Sequence, residues 1–165
     1  MKNTLKIEPY RPILDFIALF SIIASILFLT LSATTIPNQI AAHSSQIILT
    51  SLGVNSTITL EKNTPQIHIA QGAIEINELC AGIIEISILI ALIFATFEKT
   101  LRYRIKGATI AIFFLLFFNA IRIALTIAAF GSQWFDFLHE LLFRALLVAT
   151  IIIYYAIWYY WPQKQ

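Results

Sequence analysis

Cysteine occurs once in this chain, at position 80, so no intrachain disulfide can form and one thiol is left free. Histidine occurs three times, scattered along the sequence, and shows no metal-ligand spacing with the lone cysteine; no metal or other cofactor is expected. Charge is scarce as well. Charged residues make up 12% of the composition against 59% hydrophobic, with a mean hydropathy of +0.81, which excludes an ordinary water-soluble domain. The formal net charge of +2 gives no reason to expect nucleic acid as a partner. The first apolar run lacks a convincing small-x-small cleavage site near its end and exceeds the h-region of a signal peptide, so it reads as a retained membrane span.

What the 165 residues do contain is apolar runs of spanning length. A helix needs ~20 mostly apolar residues to cross ~30 Å of hydrocarbon. Four stretches qualify, at 13–36, 79–97, 107–130 and 138–160. The chain is therefore expected to be an all-α integral membrane protein, one membrane domain over 1–165, with four transmembrane helices. Lys2, Lys6 and Arg11 precede the first span, Lys99, Arg102, Arg104 and Lys106 fill the 98–106 connection, and Lys164 follows the last span. Because Lys and Arg are retained on the cytoplasmic side, these regions and both termini are expected inside, in the cell (inner) membrane. The aromatic cluster Tyr154, Tyr155, Trp158, Tyr159, Tyr160 and Trp161 suits the headgroup belt at that face.

The opposite face receives 37–78, where Lys62 is the sole cation. Ile40, Ala41, Ile47, Ile48 and Leu52 recur at roughly helical spacing and predict an amphipathic helix lying on the membrane surface. After Gly53 the period changes to two, with Ile58 and Leu60, Ile67 and Ile69, and Ile74 and Ile76. The Glu61–Pro65 region and Gln71-Gly72 separate these pairs, which predicts two or three short strands forming a cap between the first two spans.

Chemistry is best sought among polar groups that lipid should exclude, since a charge at a helix centre costs ~2.5–3.5 kcal/mol. They are Asp15, Glu85, Asn119, Arg122 and Arg144, with Cys80, His139 and Glu140 at the outer helix ends. Cys80 sits in Glu78-Leu79-Cys80-Ala81-Gly82, whose small residues are expected to leave room for a substrate backbone. Arg122 falls eight residues before the end of the third run (130 − 122), ~12 Å deep by helix rise, and Asn119 shares its face. A thiol, a cation and an imidazole from three helices at the outer side form a nucleophile site. The thiolate attacks a carbonyl, a guanidinium stabilises thiolate and oxyanion, and His139 exchanges protons. A purely structural reading competes: Glu85 pairs with Arg122 or, at similar depth, with Arg144, or Glu140 holds Arg144 at i,i+4.

Cys80-Ala81-Gly82 at a span boundary, Asn119-Ala120-Ile121-Arg122 inside the next span and Phe137-Leu138-His139 opening the last resemble the exosortase/archaeosortase family. Pro37, Gly53 and the basic 99–107 segment fall where short members place them, and length and layout are most similar to exosortase H. The resemblance implies a membrane cysteine transpeptidase that cuts a C-terminal sorting signal from exported proteins and passes the new end to an acceptor, a lipid or glycan. It implies Cys80 as nucleophile, Arg122 as the essential arginine and His139 as the third catalytic residue, with Arg144 competing for that role. Asn119, Gly82 and Glu78 are supporting candidates. Two readings from other classes stand beside it: a small transporter or channel lined by Glu85, Asn119, Arg122 and Arg144, and a non-catalytic assembly subunit that binds a partner's helix.

Overall fold

A computed structural model describes residues 11–133 and 135–162, with the backbone alone at 138–140 and 142–144. Lys2, Lys6 and Lys164, used above for orientation, lie outside the described residues. The elements run α1 (Arg11–Ser32), α2 (Ile36–Ser51), β1 (Thr57–Glu61), β2 (Thr64–Ile69), β3 (Gly72–Glu75), α3 (Ile83–Ala95), α4 (Leu101–Ala128) and α5 (Phe135–Glu140). A π-helical turn (Leu141–Leu146) then leads into α6 (Leu147–Tyr160). The molecule is mostly helical, with two long apolar helices, shorter apolar ones and one small antiparallel sheet.

At 22 and 28 residues, α1 and α4 are long enough to cross a bilayer, ~33 and ~42 Å by helix rise. The second and fourth apolar runs fold differently from the uniform spans expected. Of 79–97, only the 13 residues of α3 are helical, ~20 Å, and the start of the run is a turn. The 138–160 run begins earlier, at Phe135, and is broken by the π turn into α5 and α6. The basic connection expected at 98–106 is mostly helix: Arg102, Arg104 and Lys106 ride the first turns of α4. Arg104 Nη1 donates to the Phe94 carbonyl at 2.7 Å, satisfying an acceptor near the C-terminal end of α3.

Helices α3 and α4 form the centre. A run of small residues, Gly107, Ala108, Ala111, Ala120 and Ala124, lets other elements approach the buried side of α4 closely. A Cβ on Gly107 would lie 2.0 Å from Trp158 Nε1, so only glycine admits that indole. Around it the aromatic belt is internally bonded: Tyr154 donates to the Gly107 carbonyl (2.7 Å), Tyr103 to the Trp158 carbonyl (2.8 Å), and Thr96 and Tyr155 share a hydrogen bond (2.8 Å). The start of α1, the end of α3 and the end of α6 line one cavity here, so these helices gather at a common, aromatic end. Helix α1 packs on α3 and buries none of its residues; Asp15 lies exposed near its start.

The sheet marks the other end. Its order is β1-β2-β3, antiparallel throughout, and the expected period-two pattern is realised with Ile67 fully buried. Lys62 and Asn63, at φ 49° and 69°, form the two-residue hairpin turn, the left-handed pair that a tight hairpin needs. Helix α2 exists as expected, and the face it turns to the protein shares with the expected apolar set only Ala41 and, half-buried, Ile48. Asn38, Ala41, Ala42, Ser45 and Leu49 face inward, while Ile40, Ile47 and Leu52 are exposed. Small side chains permit the close approach to α4, so Ile40 and Ile47 are left outside.

Two apolar clusters result. One joins Ala41, Leu49, Ile67, Ile76, Ala81, Ile83, Ile123 and Ile127 under the cap; the other joins Leu89, Ile93, Ala111, Leu115 and Trp158 toward the aromatic end. Asn119 and Arg122 lie on α4 between the stretches that feed these two clusters.

Candidate active site

Cys80 stands in the turn ahead of α3, outside the helical span, and the turn is built by a residue the sequence reading missed. Asn77 Oδ1 accepts the backbone N–H groups of Leu79 and Cys80, both at 3.1 Å, and its carbonyl accepts those of Cys80 and Ala81 at 3.0 Å. An Asn two or three residues before a turn residue is the recognisable signal for such an Asx turn. Gly82 then takes φ +76°, the left-handed conformation that directs the chain into α3 at little cost only without a Cβ.

The Cys80 carbonyl is the meeting point. Arg122 Nη2 donates to it at 2.8 Å and Asn119 Nδ2 at 2.9 Å, across sequence separations of 42 and 39 residues. Both donors come from one face of α4, and both are nearly completely buried, at 3% and 4% exposure. A non-helical carbonyl among apolar helices would otherwise be an orphaned acceptor, costing ~1–3 kcal/mol. The charge-assisted bond from Arg122 is the stronger of the two.

The space beside Gly82 is used by the protein itself. A Cβ there would lie 3.3 Å from Asn119 Cγ and Nδ2, so Asn119 fills the gap expected for a substrate backbone. The smallness of Gly82 serves the Asn119 clamp.

Cys80 is half-buried and free. Burial pushes its thiol above the ordinary value; the Arg122 cation is the foremost opposing influence, followed by a backbone hydrogen bond from Asn77, while Glu75 and Glu85 add to the upward push. Glu85 interacts electrostatically with Arg122, and its Oε2 is buried without a hydrogen-bond partner among the described residues. Glu78 is exposed and lines a neighbouring pocket.

The structure thus brings Cys80, Gly82, Asn119 and Arg122 together, with Glu85 in range. For His139 and Arg144 it gives backbone position only: His139 on α5, Arg144 in the π turn, both elements packed on α4. The side chains of His139, Glu140 and Arg144 lie outside the described residues, so the Glu85–Arg144 and Glu140–Arg144 pairs do as well. A π turn in this position is of interest because such turns occur often at functional sites. Among the described residues no group of three His, Cys, Asp or Glu is placed to hold a metal ion.

A pinned turn presenting a thiol, with a cation in electrostatic reach, is an arrangement suited to nucleophilic attack on a carbonyl. No match was found among curated proteins or among solved structures. The family model of the transmembrane exosortases matches residues 11–159, which covers all the described helices except the last residue of α6, and the whole Cys80–Asn119–Arg122 cluster. This chain belongs to the transmembrane exosortase family.

Proposed function

We propose that this protein is a membrane-embedded cysteine transpeptidase that cleaves a C-terminal sorting signal from exported proteins and transfers the new C-terminus to an acceptor. The observation that carries the reading is the double hydrogen bond from Asn119 and Arg122 to the Cys80 carbonyl, in a chain of the exosortase family. It holds the turn so that a thiol stands in a fixed place beside a permanent cation.

In this reading the chain is one membrane domain with four spans and both ends in the cytoplasm. The cations Arg11, Lys99, Arg102, Arg104 and Lys106 belong to the aromatic end, and the cap carries Lys62 alone, which supports placing the cap and Cys80 outside. The exposed isoleucines of α2 then rest on the outer membrane surface.

The reaction proceeds through a thioester. The Cys80 thiol passes its proton to His139 and the sulfur attacks the scissile carbonyl; Arg122 stabilises the charge that develops on oxygen. The C–N bond breaks as His139 returns the proton to the leaving nitrogen. An acceptor amine, hydroxyl or water gives a proton to His139 and attacks the thioester, the C–S bond breaks, and the departing sulfur takes that proton from His139, which restores the thiol. Arg144 is the alternative for the third position. The test compares cleavage of a tagged sorting-signal protein by the native chain and by Cys80→Ser and Cys80→Ala; cleavage that survives both substitutions overturns the assignment.

A further inference from the structure

Beside the Cys80 turn lies a pocket of about 330 Å³ that the reaction above leaves unused. Asn38 from the start of α2, Thr64 from β2, Glu75 from β3, and Asn77, Glu78 and Leu79 from the turn itself line it. The charges on its described lining are of one sign. Glu75 and Glu78 bring carboxylates, Asn77 a side-chain acceptor already oriented toward the turn, and no Lys or Arg is among the described residues that line it. Asn38 is 6% exposed, and its Oδ1 is buried with no hydrogen-bond partner among the described residues. A buried acceptor without a donor is a costly feature to retain, and its complement is a donor brought from outside. Two carboxylates beside an unpaired buried acceptor favour a group that carries both N–H donors and positive charge.

We propose that this pocket is a subsite for a protonated nitrogen group, a primary ammonium or a guanidinium, held beside Cys80 by Glu75, Glu78 and Asn38. The inference rests on the transpeptidase reading for its source, which is either a basic side chain of the sorting signal near the scissile bond or an amine acceptor. An acceptor bound as the ammonium gives one proton to His139 before its nitrogen attacks the thioester carbonyl, and a second passes from that nitrogen to the departing sulfur as the C–S bond breaks; a bound side chain keeps its proton and only positions the substrate.

Binding is tested without turnover, so that its failure is separable from failure of the transpeptidase reading. Cys80 is the sole thiol, and its alkylation by neutral iodoacetamide is followed in the full chain, with propylammonium, propylguanidinium, propanol or propionate added at equal ionic strength. Taken per thiolate, from pH profiles recorded with and without each additive so that any shift in thiol ionisation caused by the bound cation is removed, alkylation is slowed saturably by the two cations and not by propanol or propionate. Within each variant the rate with cation is divided by the rate without it: Glu75→Gln/Glu78→Gln and Asn38→Leu lose the slowing, and Asn38→Asp, which keeps the size of the side chain, strengthens it. Equal effects of propanol and propylammonium, or protection that persists in Glu75→Gln/Glu78→Gln, overturn the proposal. In turnover, a propylamide product assigns the pocket to the acceptor, and a raised KM when a Lys or Arg flanking the cleavage point is replaced by Gln assigns it to the signal.

Discussion

Replacing Gly82 by alanine perturbs the backbone of the site and the Asn119 clamp at once, and the two effects can be separated. At φ +76° an L-residue costs ~1–2 kcal/mol. The added Cβ also meets Asn119 Cγ and Nδ2 at 3.3 Å, so the carboxamide must retreat by a few tenths of an ångström. Its bond to the Cys80 carbonyl, now 2.9 Å, is then weakened or lost, worth ~0.5–1.5 kcal/mol. Gly82→Ala is expected to cost ~1.5–3.5 kcal/mol in all, the sum of the two terms. Gly53 supplies the control: at φ +77° with nothing within 4 Å of a Cβ, Gly53→Ala carries the backbone term alone. Asn119→Ala completes a cycle. If the Cβ at position 82 already breaks the Asn119 bond, the double variant costs little more than Gly82→Ala, a non-additivity of ~0.5–1.5 kcal/mol. The measurement is reversible unfolding in mixed micelles followed by helical circular dichroism. Equal costs for Gly82→Ala and Gly53→Ala, together with an additive cycle, would refute the clamp.

Two further outcomes are expected. Arg122→Gln removes the main influence opposing burial at Cys80, so the pH at which alkylation rises shifts upward, while Arg122→Lys, which keeps the charge, shifts it less; an inflection that stays in place or falls contradicts the electrostatic role. In a Cys80→Ser background, a membrane-impermeant thiol reagent on intact cells is expected to label Thr59→Cys in the cap and spare Lys99→Cys at the aromatic end; the reverse pattern inverts the proposed topology.

The cap was legible because its isoleucines alternate and the breaks between them, Glu61–Pro65 and Gln71-Gly72, fall at or beside the two hairpin turns, features that act locally. The four apolar runs were legible too, since hydropathy needs no partner to be read. The buried face of α2 was not. Its large residues suggested the apolar side, yet close packing on α4 selects the small Ala41, Ala42 and Ser45. The Cys80 turn was hidden for a related reason: Leu79, Ala81 and Gly82 continue the apolar run, and only the tertiary donors Asn119 and Arg122 make an unwound segment tolerable there. Arg122 was recognised as a site residue from its cost in a span, although it lies six residues from the end of α4 (128 − 122) instead of eight. The π turn left no signal, because 141–146 is apolar apart from Arg144 and an apolar segment has the same pattern whichever helix type it adopts.

The central claim is that Cys80 attacks the substrate carbonyl, and the thioester is its direct witness. The native chain is mixed with a tagged sorting-signal substrate, quenched in acid and weighed intact. The account predicts an adduct on Cys80 equal in mass to the substrate portion before the cleavage point, released by hydroxylamine and absent from Cys80→Ala. Cleavage without any hydroxylamine-sensitive adduct, at a rate shared by Cys80→Ala, would contradict it.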